Sequence, residues 1–113
     1  MSLSLKPRHV EDVLVIDMGG KLTIDDQSLR DIVCNSLQAG DRRLVLKLTA
    51  VSYVDSAGLG QLITTYITVT KAGGDLRLLC PSARARQLLS MTKLDTVFTI
   101  LEDETAILDA SPV

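Results

Sequence analysis

Residues 51–66, which read VSYVDSAGLGQLITTY, decide how the rest of the chain is interpreted. An apolar run reaches Asp55 and Ser56, and two glycines follow within four positions. Apolar residues then recur at helical spacing, at Leu59, Leu62, Ile63, Tyr66 and Ile67. The β-branched residues of ITTYITVT (63–70) favour a strand by propensity alone. We predict a helix with Ser56 as its N-cap, because a sustained helical period outweighs weak intrinsic preferences.

Strand and helix patterns alternate on both sides of this junction. Upstream we predict strands at 2–6 and Val13–Met18, a break at Gly19-Gly20, a helix from Asp25-Asp26 to Gly40, and a strand from Arg43. Downstream we predict a strand at Asp75–Cys80, a helix capped by Ser82, a short strand in 96–101 and a last helix in 102–110. The order ββαβαβαβα predicts one α/β domain over residues 1–113, with about five strands in a mixed, mostly parallel sheet and about four helices.

Composition excludes several classes of function. The net charge of −2 and the absence of Trp argue against binding to nucleic acid. No apolar run approaches the roughly 18 residues of a membrane helix, and the N-terminus lacks the apolar region of a signal peptide. Cys34 and Cys80 lie in apolar surroundings without metal-ligand spacing, which is typical of free thiols in a reducing compartment. We therefore expect a cytoplasmic protein with no metal and no cofactor.

The position of Ser56 raises the question of what its hydroxyl does. A serine hydrolase needs a GxSxG elbow and a histidine base, but Val54 precedes Ser56 by two positions and His9 is the only histidine. GLGQ (58–61) lacks the Lys-Ser/Thr of a phosphate loop, and it lacks the third glycine of a dinucleotide fingerprint. Paired acids such as Asp25-Asp26 stand where helices are predicted to begin, and the helix dipole stabilises negative charge there. Nucleophilic catalysis is therefore the least favoured function for Ser56.

A plain N-cap explains Ser56 but not the glycines that follow it. Gly58 and Gly60 each cost roughly 1 kcal/mol relative to alanine inside a helix. Small residues there let the backbone approach another surface, or they leave room for a bulky group on the serine. A phosphoryl group on Ser56 would meet free N–H groups and the positive end of the helix dipole, beside the repelling charge of Asp55. Such a junction suits a binding surface that is switched by phosphorylation.

Four segments together resemble the STAS family and, more narrowly, bacterial anti-sigma factor antagonists. They are VSYVDSAGLGQLITTY, the preceding RRLVLKLTA, the following AGGDLRLLCPSARARQLLSMTKL and the closing FTILEDETAIL. The resemblance runs over essentially the whole chain in order, and its most specific part is Asp-Ser-x-Gly-Leu-Gly. It implies a compact α/β domain with helices packed on a central sheet, and no catalytic activity.

The resemblance also implies partners. The chain would bind an anti-sigma factor that is itself a serine kinase, which would phosphorylate Ser56 and so break the complex, and a serine phosphatase would reverse the mark. The implied contact surface consists of Asp55, Ala57, Gly58, Leu59 and Gly60. We expect a monomer or a weak dimer that inserts into no membrane and does not bind nucleic acid directly.

The sequence departs from the family pattern in two places. Ala57 stands where many members have a second Ser or Thr. The loop after the second strand reads GKLT, so Lys21 and Thr23 replace acids near the expected site, and Asp25 follows them. We include these three residues in the expected partner-binding surface. The alternatives are a subunit of a stressosome-like scaffold, a subunit of a lipid or anion transport complex, and a small-ligand or nucleotide-binding protein.

Overall fold

The structure, a computed structural model, describes residues 3–23 and 28–108. The strands and helices are β1 (Leu3–Val10), β2 (Val13–Leu22), α1 (Ser28–Gln38), β3 (Arg43–Val54), α2 (Ser56–Lys71), β4 (Asp75–Leu79), α3 (Ala83–Met91) and β5 (Thr99–Leu101). The described strands form one sheet in the order β1-β2-β3-β4-β5. β1 pairs antiparallel with β2, and the other neighbours are parallel. The predicted mixed, mostly parallel sheet of five strands is confirmed.

The sheet is buried unequally on its two faces. On the first face, alternate residues of the central strands, such as Leu14, Leu46 and Leu78, join residues of all three helices in the main core. On the second face, Val13 and Val15 belong to a smaller cluster that Ile107 covers. Central strands covered on both faces read as nearly continuous apolar runs, which is the pattern of β2.

The prediction of a fourth helix in 102–110 is wrong for the part that the structure describes. Residues 28–108 contain three α-helices, and the closing segment forms only a 3-10 turn at Glu104–Ala106. The carboxylate of Asp103 caps this turn by accepting a hydrogen bond from the N–H of Thr105 at 3.0 Å. A helix this short is marginal without extensive packing, and the segment is held by the buried side chain of Ile107 and by hydrogen bonds from Arg8 and Lys47 to Glu104.

Both N-terminal strands are longer than predicted. Gly19-Gly20 does not end β2, which continues to Leu22 through register shifts on either side of the glycine pair. β1 passes through Pro7 to Val10, and the turn is only two residues long. An edge strand tolerates proline because one row of its N–H groups has no partner strand. Bulges let β2 bend while keeping its pairing with β3.

The helix predicted after Asp55 is confirmed over its full length. Its inner side chains, including Leu62 and Val69, are buried against the sheet. The hydroxyl of Thr65 donates to the carbonyl oxygen of Gln61 at 2.7 Å, so a buried β-branched polar residue is satisfied within the helix. The predicted cap of α3 is also confirmed, because Ser82 accepts from the N–H of Ala85. The predicted caps of α1, Asp25 and Asp26, lie outside the described residues.

Candidate functional site

The candidate site lies where two parallel strands end side by side. Leu22, the last residue of β2, is the register partner of Val54, the last residue of β3. The chain then enters α2 through Asp55, whose N–H donates to the carbonyl oxygen of Leu22 at 3.3 Å. In open α/β sheets, functional groups gather at the carboxyl ends of strands, where each following helix begins. Ser56 occupies that position.

Asp55, and not Ser56, is the N-cap of α2. The backbone of Asp55 is extended, and its carboxylate accepts a hydrogen bond from the N–H of Gly58 at 2.8 Å. The prediction that Ser56 caps the helix is therefore wrong, because the preceding carboxylate takes the role and also favours the positive end of the helix dipole. Ser56 is the first helical residue and is exposed. Its hydroxyl makes no hydrogen bond with residues 3–23 or 28–108.

The two glycines after Ser56 have different surroundings. A Cβ on Gly58 would overlap the carbonyl oxygen of Leu22 and come within 2.8 Å of its carbonyl carbon. Gly58 therefore allows the first turn of α2 to lie directly against the end of β2. A Cβ on Gly60 would meet nothing within 4 Å. Of the two expectations from sequence, close backbone approach applies to Gly58, and free space near the serine applies to Gly60.

The GKLT segment (20–23) contributes to the site mainly through its backbone. The side-chain amide of Gln61 donates to the carbonyl oxygen of Thr23, which ties the end of this segment to the second turn of α2. Lys21 is exposed and is the register partner of Tyr53. The structure therefore brings Thr23 against α2 and leaves Lys21 on the sheet. Asp25, the third expected residue of this region, lies outside the described residues.

A groove between α1 and α2 adjoins the site and was not predicted from sequence. It has a volume of about 320 Å³. Ala57 and Gly60 are among the α2 residues that line it, so two residues of the expected contact surface also belong to the groove. Leu59 is half-buried and packs against the main core on the other side of the helix. The sequence signal was the spacing of small residues at 57 and 60, which removes side-chain volume from one side of α2.

His9 lies at the other end of the sheet from Ser56. It pairs with Leu14 near the start of β2, and its Nε2 lies 3.1 Å from a carboxylate oxygen of Asp41. The hydroxyl of Ser36 donates to the same carboxylate at 2.8 Å. In a nucleophilic triad the serine hydroxyl hydrogen-bonds to the histidine, whereas here Ser36 and His9 both hydrogen-bond to the carboxylate of Asp41. The described residues hold no group of three His, Cys, Asp or Glu side chains placed to bind a metal ion.

None of the helices in the described part of the chain has the length and apolar character needed to cross a membrane.

Comparison with known proteins supports the resemblance read from the motif. The model of the STAS domain matches residues 4–106. The anti-sigma-B factor antagonist of Bacillus subtilis is 31% identical over 102 residues, which cover 88% of this chain and 92% of the relative.

Two solved structures share the fold. An anti-sigma factor antagonist from Mycobacterium paratuberculosis has a TM-score of 0.79 and 23% identity, covering 96% of this chain and 92% of its own. The Bacillus cell fate determinant SpoIIAA in its phosphorylated form has a TM-score of 0.71 and 20% identity, covering 92% of this chain and 96% of its own. The match of the family model over residues 4–106 and the Bacillus subtilis relative, together with the Asp-Ser-x-Gly-Leu-Gly junction at the end of β3, show that the chain belongs to the STAS domain family.

Proposed function

We propose that this chain is an anti-sigma factor antagonist whose binding to an anti-sigma factor is switched by phosphorylation of Ser56. The observation that carries the proposal is the geometry of the junction, where Asp55 caps α2 and leaves the hydroxyl of Ser56 exposed. The names of relatives support it, since the matched Bacillus subtilis protein is an anti-sigma-B factor antagonist. SpoIIAA, which shares the fold, has a solved structure in its phosphorylated form.

The partner surface that we propose continues from Ser56 along the exposed side of α2. Ser56, Gly60, Ile63 and Ile67 are spaced by four, three and four residues, so they form one stripe along the helix. Ile63 is 38% exposed and Ile67 is 46% exposed. We call these four residues the α2 stripe. An apolar stripe beside a free hydroxyl offers a protein partner buried area, and it places Ser56 at one end of the contact.

Phosphorylation would change this surface by charge rather than by unfolding. A phosphoserine carries about −1.5 to −2 charges near neutral pH. The first turn of α2 offers free N–H groups and a positive dipole end to that charge, while the neighbouring Asp55 carboxylate repels it. Because Asp55 already holds the N–H of Gly58, the cap does not need to rearrange. The phosphate would instead stand at the end of the α2 stripe, and a docked partner would have to desolvate it.

The other proposed partner-binding residues act in different ways. Ala57 is half-buried and Gly58 is buried, so we assign Gly58 the role of holding α2 against β2. Thr23 accepts a hydrogen bond from Gln61 and would position the loop beside the site. We retain Asp25 in the proposed surface, whereas Lys21 lies on the face of the sheet away from α2 and so stands outside the α2 stripe. In this cycle the anti-sigma factor is the serine kinase, and a serine phosphatase restores the free hydroxyl.

Phosphate transfer to Ser56 tests the switch. Incubation with the cognate anti-sigma kinase and ATP should add one phosphate, measured as intact mass and located by peptide mass spectrometry. Ser56→Ala should abolish the addition. Ser90→Ala is the matched control, because Ser90 is also an exposed serine on a helix, and it should leave the addition intact. Phosphate on another residue, or no phosphate with a verified kinase, would contradict the proposal.

Partner affinity tests the consequence of the added charge. Ser56→Asp should weaken binding by about 1 to 3 kcal/mol through repulsion and desolvation at the interface. Ser56→Asn has nearly the same shape without the charge and should bind within about threefold of wild type. Titration calorimetry measures both. Equal affinities of the Asp and Asn variants, or a pull-down that recovers transport or scaffold subunits in place of an anti-sigma factor, would overturn the proposal.

A further inference from the structure

The second face of the sheet is covered over only part of its area. Ala106 and Ile107 pack on the part that contains Val13, Val15 and Val45. β4 pairs with β3 only as far as Lys47, but β2 and β3 stay paired up to Leu22 and Val54. The sheet therefore extends beyond β4 as a ribbon of three strands. The main-core side of this ribbon is buried, and its other side is exposed over most of the described residues.

We call the exposed side of this ribbon the β-shelf. It is made of the register partners Ser4, Gly19 and Ala50, the register partners Lys21 and Tyr53, and Lys6, which lies across from Asp17. Lys21 and Tyr53 are followed by Leu22 and Val54, which belong to the main core. Since side chains alternate between the faces of a strand, Lys21 and Tyr53 lie on the face away from the helices.

The middle of the β-shelf is a row of small side chains. Ser4 and Ala50 are exposed, and both flank Gly19. A Cβ on Gly19 would lie 3.1 Å from the hydroxyl oxygen of Ser4 and 3.3 Å from the Cβ of Ala50. The three residues therefore sit side by side across the strands with no room for a larger group at the centre. The row forms a shallow strip in which another chain could approach the backbone of the sheet.

Cations without ion-pair partners surround this strip. Lys6 lies on one side, and Lys21 on the other. Arg84, at the start of α3, places its guanidinium 5.9 Å from the centre of the Tyr53 ring. None of these three cations forms an ion pair with the described residues, whereas the nearby Asp17 is paired with Arg8 at 2.8 Å. The β-shelf is thus positively charged on a chain whose net charge is −2.

We propose that the β-shelf is a docking surface for an acidic segment of a protein partner. Its cations complement the charge of such a segment, and the small residues allow a peptide to lie close to the sheet. The ring of Tyr53, 41% exposed, offers an apolar contact. Three unpaired cations give only about 1 kcal/mol each at an anionic bilayer, which is too little for stable membrane attachment. The inference does not rest on Ser56, which lies on α2 at the other face.

Binding of a defined peptide tests the proposal on the full chain. The probe is a fluorescein-labelled peptide of six Glu-Ser repeats, followed by fluorescence anisotropy at low salt. Lys6→Glu with Lys21→Glu should raise the dissociation constant at least about tenfold, because both attraction sites are reversed. Lys71→Glu with Lys93→Glu changes the net charge equally at exposed positions outside the β-shelf. This matched variant should stay within about twofold of wild type.

A third variant separates shape from charge. Ala50→Gln keeps the net charge and fills the strip, so it should raise the dissociation constant about threefold. Thermal unfolding confirms that each variant is folded. Equal losses in the two double variants, or equal binding of a peptide of six Lys-Ser repeats, would overturn the proposal. Binding to phosphatidylglycerol vesicles but not to the acidic peptide would overturn it as well, in favour of a membrane surface.

Discussion

Gly58 and Gly60 lie two residues apart in the same helix turn but have opposite relations to their surroundings. Gly58 is buried beneath the end of β2, and any side chain there would meet the backbone of Leu22. Backbone cannot rotate away as a flexible side chain does, so the overlap must move the helix or the strand. Gly60 faces open space. At the scale of single residues, only the first glycine is required by the packing.

Alanine at each glycine separates these roles. Gly58→Ala should lower the free energy of unfolding by about 1 to 3 kcal/mol or more, because overpacking displaces backbone. Gly60→Ala should raise it by about 1 kcal/mol, since alanine costs less than glycine in a helix interior. Urea denaturation followed by circular dichroism measures both. Changes of the same sign in the two variants would contradict the structure at this junction.

The C-terminal segment 102–108 is an element held by one apolar anchor and by the ion pairs of Glu102 and Glu104. Its 3-10 turn supplies little hydrogen bonding, and Ile107 anchors it on the second face of the sheet. Ile107 is 4% exposed, whereas the next residue, Leu108, is 40% exposed. Apolar burial of Ile107 therefore anchors this segment together with its ion pairs, and it completes the smaller core cluster.

Truncation of the anchor tests this arrangement. Ile107→Ala should lower the free energy of unfolding by about 2 to 4 kcal/mol, through lost burial and the cavity that remains. Leu108→Ala is the matched control of similar size, and it should change the free energy by less than about 0.5 kcal/mol. Thermal or urea unfolding gives both values. An Ile107→Ala variant as stable as the Leu108→Ala variant would show that the segment does not cover the sheet.

Across the whole molecule, an ion-pair network joins the first strand to the last described segment. Arg8 on β1 bonds to Asp17 on β2 at 2.8 Å and to Glu104 at 3.1 Å. Lys47 on β3 donates to Glu104 at 2.6 Å. The hydrogen bond from Lys47, followed by that from Arg8, holds the pKa of Glu104 below its usual range. Residues of β1 and β3 thus meet at the Glu104 carboxylate, and Asp17 of β2 joins the network through Arg8.

This network predicts a pH dependence of stability. The pKa of Glu104 is lower in the folded state, so its ion pairs stabilise the folded state at pH values above the unfolded-state pKa of about 4.3. This stabilisation is lost as the pH falls through the lowered folded-state pKa. Glu104→Gln should lower the free energy of unfolding by about 0.5 kcal/mol at neutral pH, a small value because the pairs are exposed to solvent. The difference from wild type should shrink towards zero in acid.

Urea titrations at several pH values measure this difference. Glu11→Gln is the control, because Glu11 is exposed in the β1–β2 turn and forms no ion pair with the described residues. It should leave the pH profile unchanged. A Glu104→Gln effect that grew as the pH fell would contradict the network.

Most of the element order was predictable because it follows local rules. Helical spacing in α2, the cap at Ser82 and the positive φ of Gly40 and Gly73 depend on neighbours within a few residues. The predictions of secondary structure failed where contacts with segments distant in the sequence decide the structure. β2 continues through Gly19-Gly20 because β3 pairs with it, and the closing segment stops at a 3-10 turn because Ile107 must reach the sheet.

By itself the sequence determined the alternating order, the position of Ser56 at the end of β3 and the family resemblance, because periodicity and motif spacing are local properties. Only the tertiary structure decided that Asp55 caps α2, that Gly58 lies against Leu22 and that Lys21 sits on the opposite face of the sheet. Asp55 and Ser56 are both good capping residues. The hydrogen bond from the Asp55 N–H to Leu22 ties that residue to the end of β2, so its carboxylate, and not the serine hydroxyl, meets the N–H of Gly58.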